Sequence, residues 1–500
     1  MTTSKARAGQ KAVISLDLIK ALLGLLFSVF SAVLLTAAFP PYNQGLLIWF
    51  GFLPMLVAQH RLLPRRFSSL APAIAIGGWL GAFLIPIFGG KSAFMAVLPL
   101  TVGALLLLLE KGKRLFHERT GYRWFILEGT IGWVGMEMLR SLVPAIGTWG
   151  FIGYPLWSFP WFLQPLSIFG IYGLDLLVLL CNYTLTQAFL YLYDRRWPEG
   201  DSAGINLGQV NRSLGLLALL VAAWTGLSVV LYKMQTTATP IVRVAAIQPN
   251  LPRAAHRDTS TSPEQRLSVL VEQTRQAAAQ GARIVVWPEM VLSFDPQVEY
   301  TQELRTLAAE TQAYIIFGYV LEAGQGFRNE ASVLAPSGQF LGIYGKTHPM
   351  ITSGEPKTIS AGTAPIFETN LGNLGVLICF DANFTDVARR LGRQGAQLIA
   401  NPSLFGSPIA QLPYTQSIFR AIENRTAFVL ADVGFNSAIV DPYGRLLQLA
   451  ITPAGARTTL IADVPLGTGR SLYASWGDWL GWGSLLGLIF FAIFMQKKEK

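Results

Sequence analysis

Leu374-Gly375-Val376-Leu377-Ile378-Cys379-Phe380-Asp381 is an apolar run that ends on a cysteine and then a carboxylate. A run this short, opened by the turn residues Leu371-Gly372-Asn373, reads as a buried strand that delivers Cys379 at its end. Two further stretches have the same form. Val285-Val286-Trp287-Pro288-Glu289 ends a β-rich run on a glutamate, and Tyr344-Gly345-Lys346 ends a hairpin strand on a lysine. A cysteine nucleophile needs a base for its proton and a cation or donor for the oxyanion of its tetrahedral intermediate. A Glu, a Lys and a Cys, each at a strand end, supply those parts without a histidine.

Working outward, Ile241–Gln248 reads as a strand. Ser262-Pro263-Glu264-Gln265 gives an N-cap, a proline at the first helical position and a capping-box glutamine, for a helix that stops at Gly281. Strands are expected at Arg283–Trp287 and Tyr314–Val320, with a hairpin over 330–345 that turns at Ser337-Gly338. After Cys379 come a helix near 384–394, a strand at 397–400, a helix at 412–425, a strand at 427–432 and a hairpin over 437–447. Strands alternating with helices, with hairpins added, predict an α/β layered sandwich.

The rest of the chain is of another kind. Hydrophobic residues make up 52% of the 500 and charged residues only 14%, which excludes a disordered chain. With two cysteines, Cys181 and Cys379, a disulfide scaffold is excluded as well. The four histidines form no Cys/His cluster, so no metal and no cofactor are expected. Apolar runs near 18–39, 43–59, 70–89, 92–110, 124–145, 170–193, 213–233 and 474–495 predict a polytopic α-helical membrane domain of about eight spans, with seven or nine as alternatives.

Basic residues gather in every second loop: Lys5, Arg7 and Lys11; Arg61, Arg65 and Arg66; Lys111 through Arg123; Arg195, Arg196 and Arg212; Lys497, Lys498 and Lys500. The net charge of +10 is thus a topology signal, and no nucleic-acid partner is expected. Both termini are placed in the cytoplasm and the long segment before the last span outside. The expected domains are a membrane part over 1–237, an extracytoplasmic catalytic domain over 238–470, and a final span with a basic tail over 471–500.

Two features of the membrane half each leave two readings. The segment with Trp149, Phe151, Tyr154, Trp157, Trp161 and Phe162 reads as an interfacial aromatic belt or as a wall that handles lipid. Glu137 and Arg140 are three apart on one helical face, either paired structurally or contacting a substrate headgroup, with Trp149 beside them. The segment Thr347–Thr363 mixes apolar and small residues, as a mobile lid or an inert surface loop does.

The order Trp287-Pro288-Glu289, Tyr344-Gly345-Lys346 and then Cys379 after an apolar strand resembles the carbon–nitrogen hydrolase (nitrilase) superfamily. The membrane half is similar to the apolipoprotein N-acyltransferase family in Trp133 through Arg140, Trp149-Gly150, Gly153-Tyr154, Gln164-Pro165 through Leu174 to Asn182, and Ala38-Phe39-Pro40-Pro41-Tyr42. That resemblance implies an αββα nitrilase-like sandwich with Glu289 as base, Lys346 as oxyanion partner and Cys379 as nucleophile. Glu355, in Ser353-Gly354-Glu355-Pro356, resembles a further family glutamate. Asp381 stands where the family usually has Glu, so both are accessory candidates. The implied reaction moves an acyl chain from a membrane phospholipid to Cys379 and then to the amine of a lipoprotein's lipidated N-terminal cysteine, at the bacterial inner membrane. A membrane-tethered amidase or nitrilase-like hydrolase with the same triad is the first alternative; a transporter or binding module is the second.

Overall fold

The computed structural model describes residues 2–88, 93–198, 204–234, 239–252, 261–323, 326–351, 355, 365–406 and 412–499. Two compact units emerge. One comprises Met1–Met138, Asp175–Ala223 and Gly481–Lys500; the other comprises Leu139–Leu174 and Trp224–Leu480.

The first unit is helical. Among the described residues five helical stretches are long and apolar enough to cross a membrane: Asp17–Ala38, Gly45–Leu62, Arg65–Pro86, Leu166–Arg196 and Leu207–Lys233, of which Leu166–Arg196 begins in the second unit. Helices also occupy the other three expected positions, at Ala93–Leu109, Phe125–Ser141 and Trp479–Glu499, but their apolar stretches are shorter. Five rather than eight therefore meet the length requirement of about 20 apolar residues. The second of the five is broken into a 3-10 turn (Gly45–Trp49), an α-helical turn (Leu53–Val57) and a π-helical turn (Ala58–Leu62). The break leaves backbone groups that cannot be left bare in an apolar medium. Asn182 meets two of them, accepting from Phe52 N at 3.0 Å and donating to Ile48 O at 2.9 Å. Half-buried charged side chains in this unit are paired, Arg61 with Asp194 at 2.6 Å and Lys113 with Glu110 and the buried Glu128 at 2.7 and 3.1 Å.

The second unit is a four-layer α/β sandwich. Its strands are β1 (Ile241–Gln248), β2 (Ile284–Val286), β3 (Tyr314–Ala323), β4 (Gly326–Leu334), β5 (Phe340–Gly345), β6 (Ile366–Thr369), β7 (Gly372–Val376), β8 (Leu398–Ser403), β9 (Ala427–Asp432), β10 (Asn436–Val440), β11 (Leu446–Ile451) and β12 (Thr458–Pro465). They form two six-stranded sheets, β12-β1-β2-β3-β4-β5 and β11-β10-β9-β8-β7-β6, which pack face to face. Read from β12 and from β6, both sheets repeat one pattern: an antiparallel pair, two parallel pairs and two antiparallel pairs. The parallel strands are buried on both faces and read as continuous apolar runs, as Ile284–Val286 and Ala427–Asp432 do.

Helices Pro263–Ala279 and Thr301–Thr311 cover the first sheet over a core that includes Leu267, Leu270, Leu304, Leu307 and Trp287. The capping box at Ser262 is formed in both directions, with Gln265 N donating to Ser262 Oγ and Ser262 N to Gln265 Oε1. Helices Thr385–Arg393 and Pro413–Asn424 belong to the second half of the sandwich. Local sequence announces neither the helix Thr301–Thr311 nor strand β12. The helix is only three turns long, with Leu304, Leu307 and Ala308 as its buried stripe. β12 acquires its place by pairing along all of β1, more than 200 residues earlier in the chain.

Candidate active site

Glu289, Lys346 and Cys379 all emerge at one edge of the sandwich, because β2, β5 and β7 end there, as ligand sites of layered α/β folds do. Glu289 follows β2 and is buried. The backbone at Pro288-Glu289 lies so close to β3 that a Cβ on Gly318 would fall 2.1 Å from Pro288 O, so only glycine fits at 318. Lys346 follows β5, and its backbone N donates to Asn329 O on β4 at 2.9 Å. Its ammonium donates to Glu289 Oε1 at 2.8 Å and to Glu355 Oε2 at 2.7 Å.

Asn329 joins the two carboxylates from the other side, its Nδ2 donating to Glu289 Oε1 at 2.6 Å and to Glu355 Oε1 at 3.0 Å. Met350 N also donates to Glu355 Oε2, at 2.7 Å. The structure thus brings Glu289, Lys346 and Glu355 into one buried cluster. Of the expected lid segment, residues 352–354 and 356–364 lie outside the described residues.

Cys379 opens a 3-10 turn, Cys379–Asn383, and is buried. Its φ of +51° is a left-handed conformation that costs a non-glycine residue on the order of 1 kcal/mol or more, and such strain gathers at functional sites. Asn401, on β8 beside β7, secures the strained residue by accepting from Cys379 N on Oδ1 at 2.7 Å. Because a backbone N–H can only donate, the carboxamide orientation is fixed, and Nδ2 has no protein acceptor among the described residues. The thiol Sγ lies 3.9 Å from Leu404 O.

Electrostatics follow from this packing. Burial works against the charge of Lys346, but Glu289 and Glu355 outweigh it and hold the ammonium well above the ordinary lysine range. Burial likewise opposes the Glu355 carboxylate, yet Lys346 and the bonds from Met350 N and Asn329 hold it below the usual range. Burial pushes the Cys379 thiol well up, Glu289 adds to the push, and Lys346 opposes it. Burial thus favours the neutral thiol at Cys379, and a thiol attacks only as it gives its proton to a base. Among the described residues no group of His, Cys, Asp and Glu side chains forms a metal-ligand set.

Asp381 stands apart from the ionic cluster. Oδ2 accepts from Tyr344 OH at 2.7 Å and Ile378 N at 3.0 Å, and Oδ1 accepts from Thr347 N at 3.2 Å and His348 N at 2.7 Å. It thereby ties the strand end that carries Lys346 to the turn that carries Cys379. Burial raises its carboxyl above the usual range.

Arg140 donates to Trp149 O at 2.5 Å and lies over the Phe151 ring at 4.7 Å, while Glu137, in the same helix, is buried. Trp149 is buried with its ring edge-on to Phe380, the residue after the cysteine. Tyr154 packs on Phe419 and Trp157 on Tyr414, both in the helix Pro413–Asn424. Half of the six aromatics, Trp149, Tyr154 and Trp157, are therefore packed against the sandwich, and among the tryptophans of the segment Trp161 is the exposed one. Asn329 has no local pattern that marks it, being a buried asparagine in a strand; its signal is a place at the same sheet edge as Glu289 and Lys346.

Comparison with known proteins agrees with this architecture. The carbon-nitrogen hydrolase family profile matches residues 243–474, and that of the apolipoprotein N-acyltransferase N-terminal domain matches 31–184. An apolipoprotein N-acyltransferase of Geobacter metallireducens is 26% identical over 92% of this chain and 93% of its own length. One of Gloeobacter violaceus is 26% identical over 92% of each chain. A nitrilase of Pyrococcus abyssi is 32% identical over 38% of this chain and 75% of its own length. With a hydrolase sandwich and the acyltransferase N-terminal domain in one chain, this protein belongs to the apolipoprotein N-acyltransferase branch of the carbon–nitrogen hydrolase family.

Proposed function

We propose that this protein is a phospholipid-dependent acyltransferase that N-acylates the diacylglyceryl-cysteine at the N-terminus of lipoproteins through a thioester on Cys379. The observation that carries the reading is a buried Glu-Lys-Cys site in a chain that matches apolipoprotein N-acyltransferases over nearly its full length. A hydrolase reading accounts for the second unit alone.

In the first half-reaction Glu289 takes the Sγ proton as sulfur attacks the ester carbonyl of a phospholipid. The C=O electrons move onto oxygen, and the Lys346 ammonium faces the oxyanion. The intermediate collapses, the C–O bond breaks, and Glu289 returns the proton to the departing lysophospholipid oxygen. In the second half-reaction the lipoprotein's α-amine attacks the thioester and gives a proton to Glu289. The C–S bond then breaks, and Glu289 reprotonates the sulfur. Glu355 shares the lysine with Glu289 and fixes the ammonium between two carboxylates, and Asp381 holds the two strand ends in register. Glu137, Arg140 and Trp149 are proposed to line the lipid's approach.

The proposed setting is a bacterial inner membrane crossed by about eight spans, with the membrane part over 1–237, the catalytic domain over 238–470 on the periplasmic side, and the last span and tail over 471–500. The decisive experiment is mass spectrometry of the purified protein after incubation with phospholipid vesicles. An acyl-chain mass increment on Cys379, absent from Cys379→Ala, is expected. An unmodified Cys379 in protein that consumes phospholipid would overturn the thioester.

A further inference from the structure

The turn Cys379–Asn383 is held at its far end by a part of the chain that the reaction scheme does not use. Thr148, in the aromatic segment, donates its backbone N–H to Asn383 O at 3.1 Å and its hydroxyl to the same carbonyl at 2.5 Å. Asn383 answers with Nδ2, which donates to Ile146 O at 2.9 Å, while its Oδ1 accepts from Gln416 Nε2 at 2.7 Å. Thr148 and Asn383 are fully buried. The approach is so close that a Cβ on Gly147, whose φ is +56°, would fall 2.4 Å from Asn383 Nδ2.

Counting protons gives the clamp a direction. A hydroxyl has one hydrogen, and Thr148 spends it on Asn383 O. Tyr154 OH, 2.6 Å from Thr148 Oγ1, must therefore donate to Thr148. Arg420 Nη2 donates in turn to Tyr154 OH at 3.3 Å, and Arg420 is held by Glu423 at 3.1 Å. The chain Arg420→Tyr154→Thr148→Asn383 carbonyl runs from a buried cation to the end of the nucleophile's turn. Each hydroxyl both accepts and donates, so each bond polarises the next.

We infer that Thr148, oriented by Tyr154, is a positioning residue for the nucleophile, holding Asn383 and hence the strained Cys379 turn aligned with the oxyanion partner across the site. The inference rests on the acyltransferase reading and adds to it: the aromatic segment belongs to the catalytic machinery and not only to the lipid contact. An apolar side chain of equal shape at 148 keeps the packing and the backbone bond to Asn383 but removes the hydroxyl's bonds to Asn383 and Tyr154.

The test uses the full-length protein in vesicles and compares Thr148→Val, Thr148→Ser and Tyr154→Phe. Acylation of Cys379 is measured with phospholipid and with p-nitrophenyl butyrate; alkylation by iodoacetamide, which forms no oxyanion, is measured alongside. Thr148→Val is expected to lower the acylation kcat at least about tenfold with both donors, since small misplacements of a nucleophile cost rates of this order. KM, melting temperature and alkylation should stay near parental, and Thr148→Ser should restore acylation. General structural damage would lower acylation, alkylation and stability together, and that outcome overturns the inference, as does parental acylation in Thr148→Val. Should Thr148→Val fail to insert, Tyr154→Phe, which removes the hydroxyl that donates to Thr148 and accepts from Arg420, is judged by the same split. Parental protein acylated by the nitrophenyl ester but not by phospholipid would refute the proposed donor, and the ester arm would still decide the clamp.

Discussion

Asp381→Asn tests how the two halves of the site are held in register. The carboxylate accepts four hydrogen bonds, two on each oxygen, from Tyr344 OH, Ile378 N, Thr347 N and His348 N. A carboxamide has one accepting oxygen. If Nδ2 faces Tyr344 and Ile378, the tyrosine hydroxyl can turn to accept, but Ile378 N is left without a partner. An orphaned buried N–H costs about 1–3 kcal/mol, and each surviving bond weakens by about 1 kcal/mol when its acceptor loses the charge. Against this, asparagine carries no charge into a fully buried place, where burial already raises the aspartate's carboxyl. The net expected loss is about 3 kcal/mol, which for a fold of this size lowers the melting temperature by on the order of 6–10 °C. Cys379 and Lys346 lose their common anchor, so the rate of thioester formation should fall by about 10²-fold. Scanning fluorimetry in detergent and single-turnover mass spectrometry of the acyl-enzyme measure the two effects. A variant that melts within about 1 °C of the parent and acylates at the parental rate would refute the reasoning.

Three further outcomes are expected. Glu289→Gln keeps the shape of the base but removes its proton affinity, so acyl-enzyme should form at least about 10²-fold more slowly, and accumulation at the parental rate would end the assignment. The folded-state pKa of Glu355 is depressed, so the stability it contributes is present above the unfolded value of about 4.3 and is lost as pH falls through the folded one; Glu355→Gln should flatten the acid limb of the stability curve below about pH 4, and an unchanged limb would sink the claim. In spheroplasts, a membrane-impermeant thiol reagent should label a cysteine placed at Ser262 and miss one placed at Arg119; the reverse pattern would put the catalytic unit in the cytoplasm.

Much of this molecule is written in local sequence. β1 was legible to the residue as Ile241–Gln248, and the helix after Ser262 is announced by a capping box that then forms both of its hydrogen bonds. Glu289, Lys346 and Cys379 were legible because a strand end is a local event: an apolar run stops, and the next polar residue is a candidate for chemistry. Glu355 came from resemblance, and its bond to Lys346 supplies the geometric reason for its place.

What was not legible depends on partners far away in the chain. Asp381 is an accessory candidate by resemblance alone, and of its four donors Tyr344, Thr347 and His348 lie 33 or more residues away. Asn329 stands 40 residues from Glu289, and Asn401 stands 22 residues from Cys379. Thr148 reaches Asn383 across 235 residues, which places a segment read as an interfacial belt or a lipid-handling wall in the same unit as the sandwich. Hydrophobic period and turn chemistry record only what lies within a turn or two of the backbone. Which strand ends meet, and which buried asparagine or threonine is spent on them, is decided when two sheets close on one another, because only then must every polar group at the shared edge find a partner.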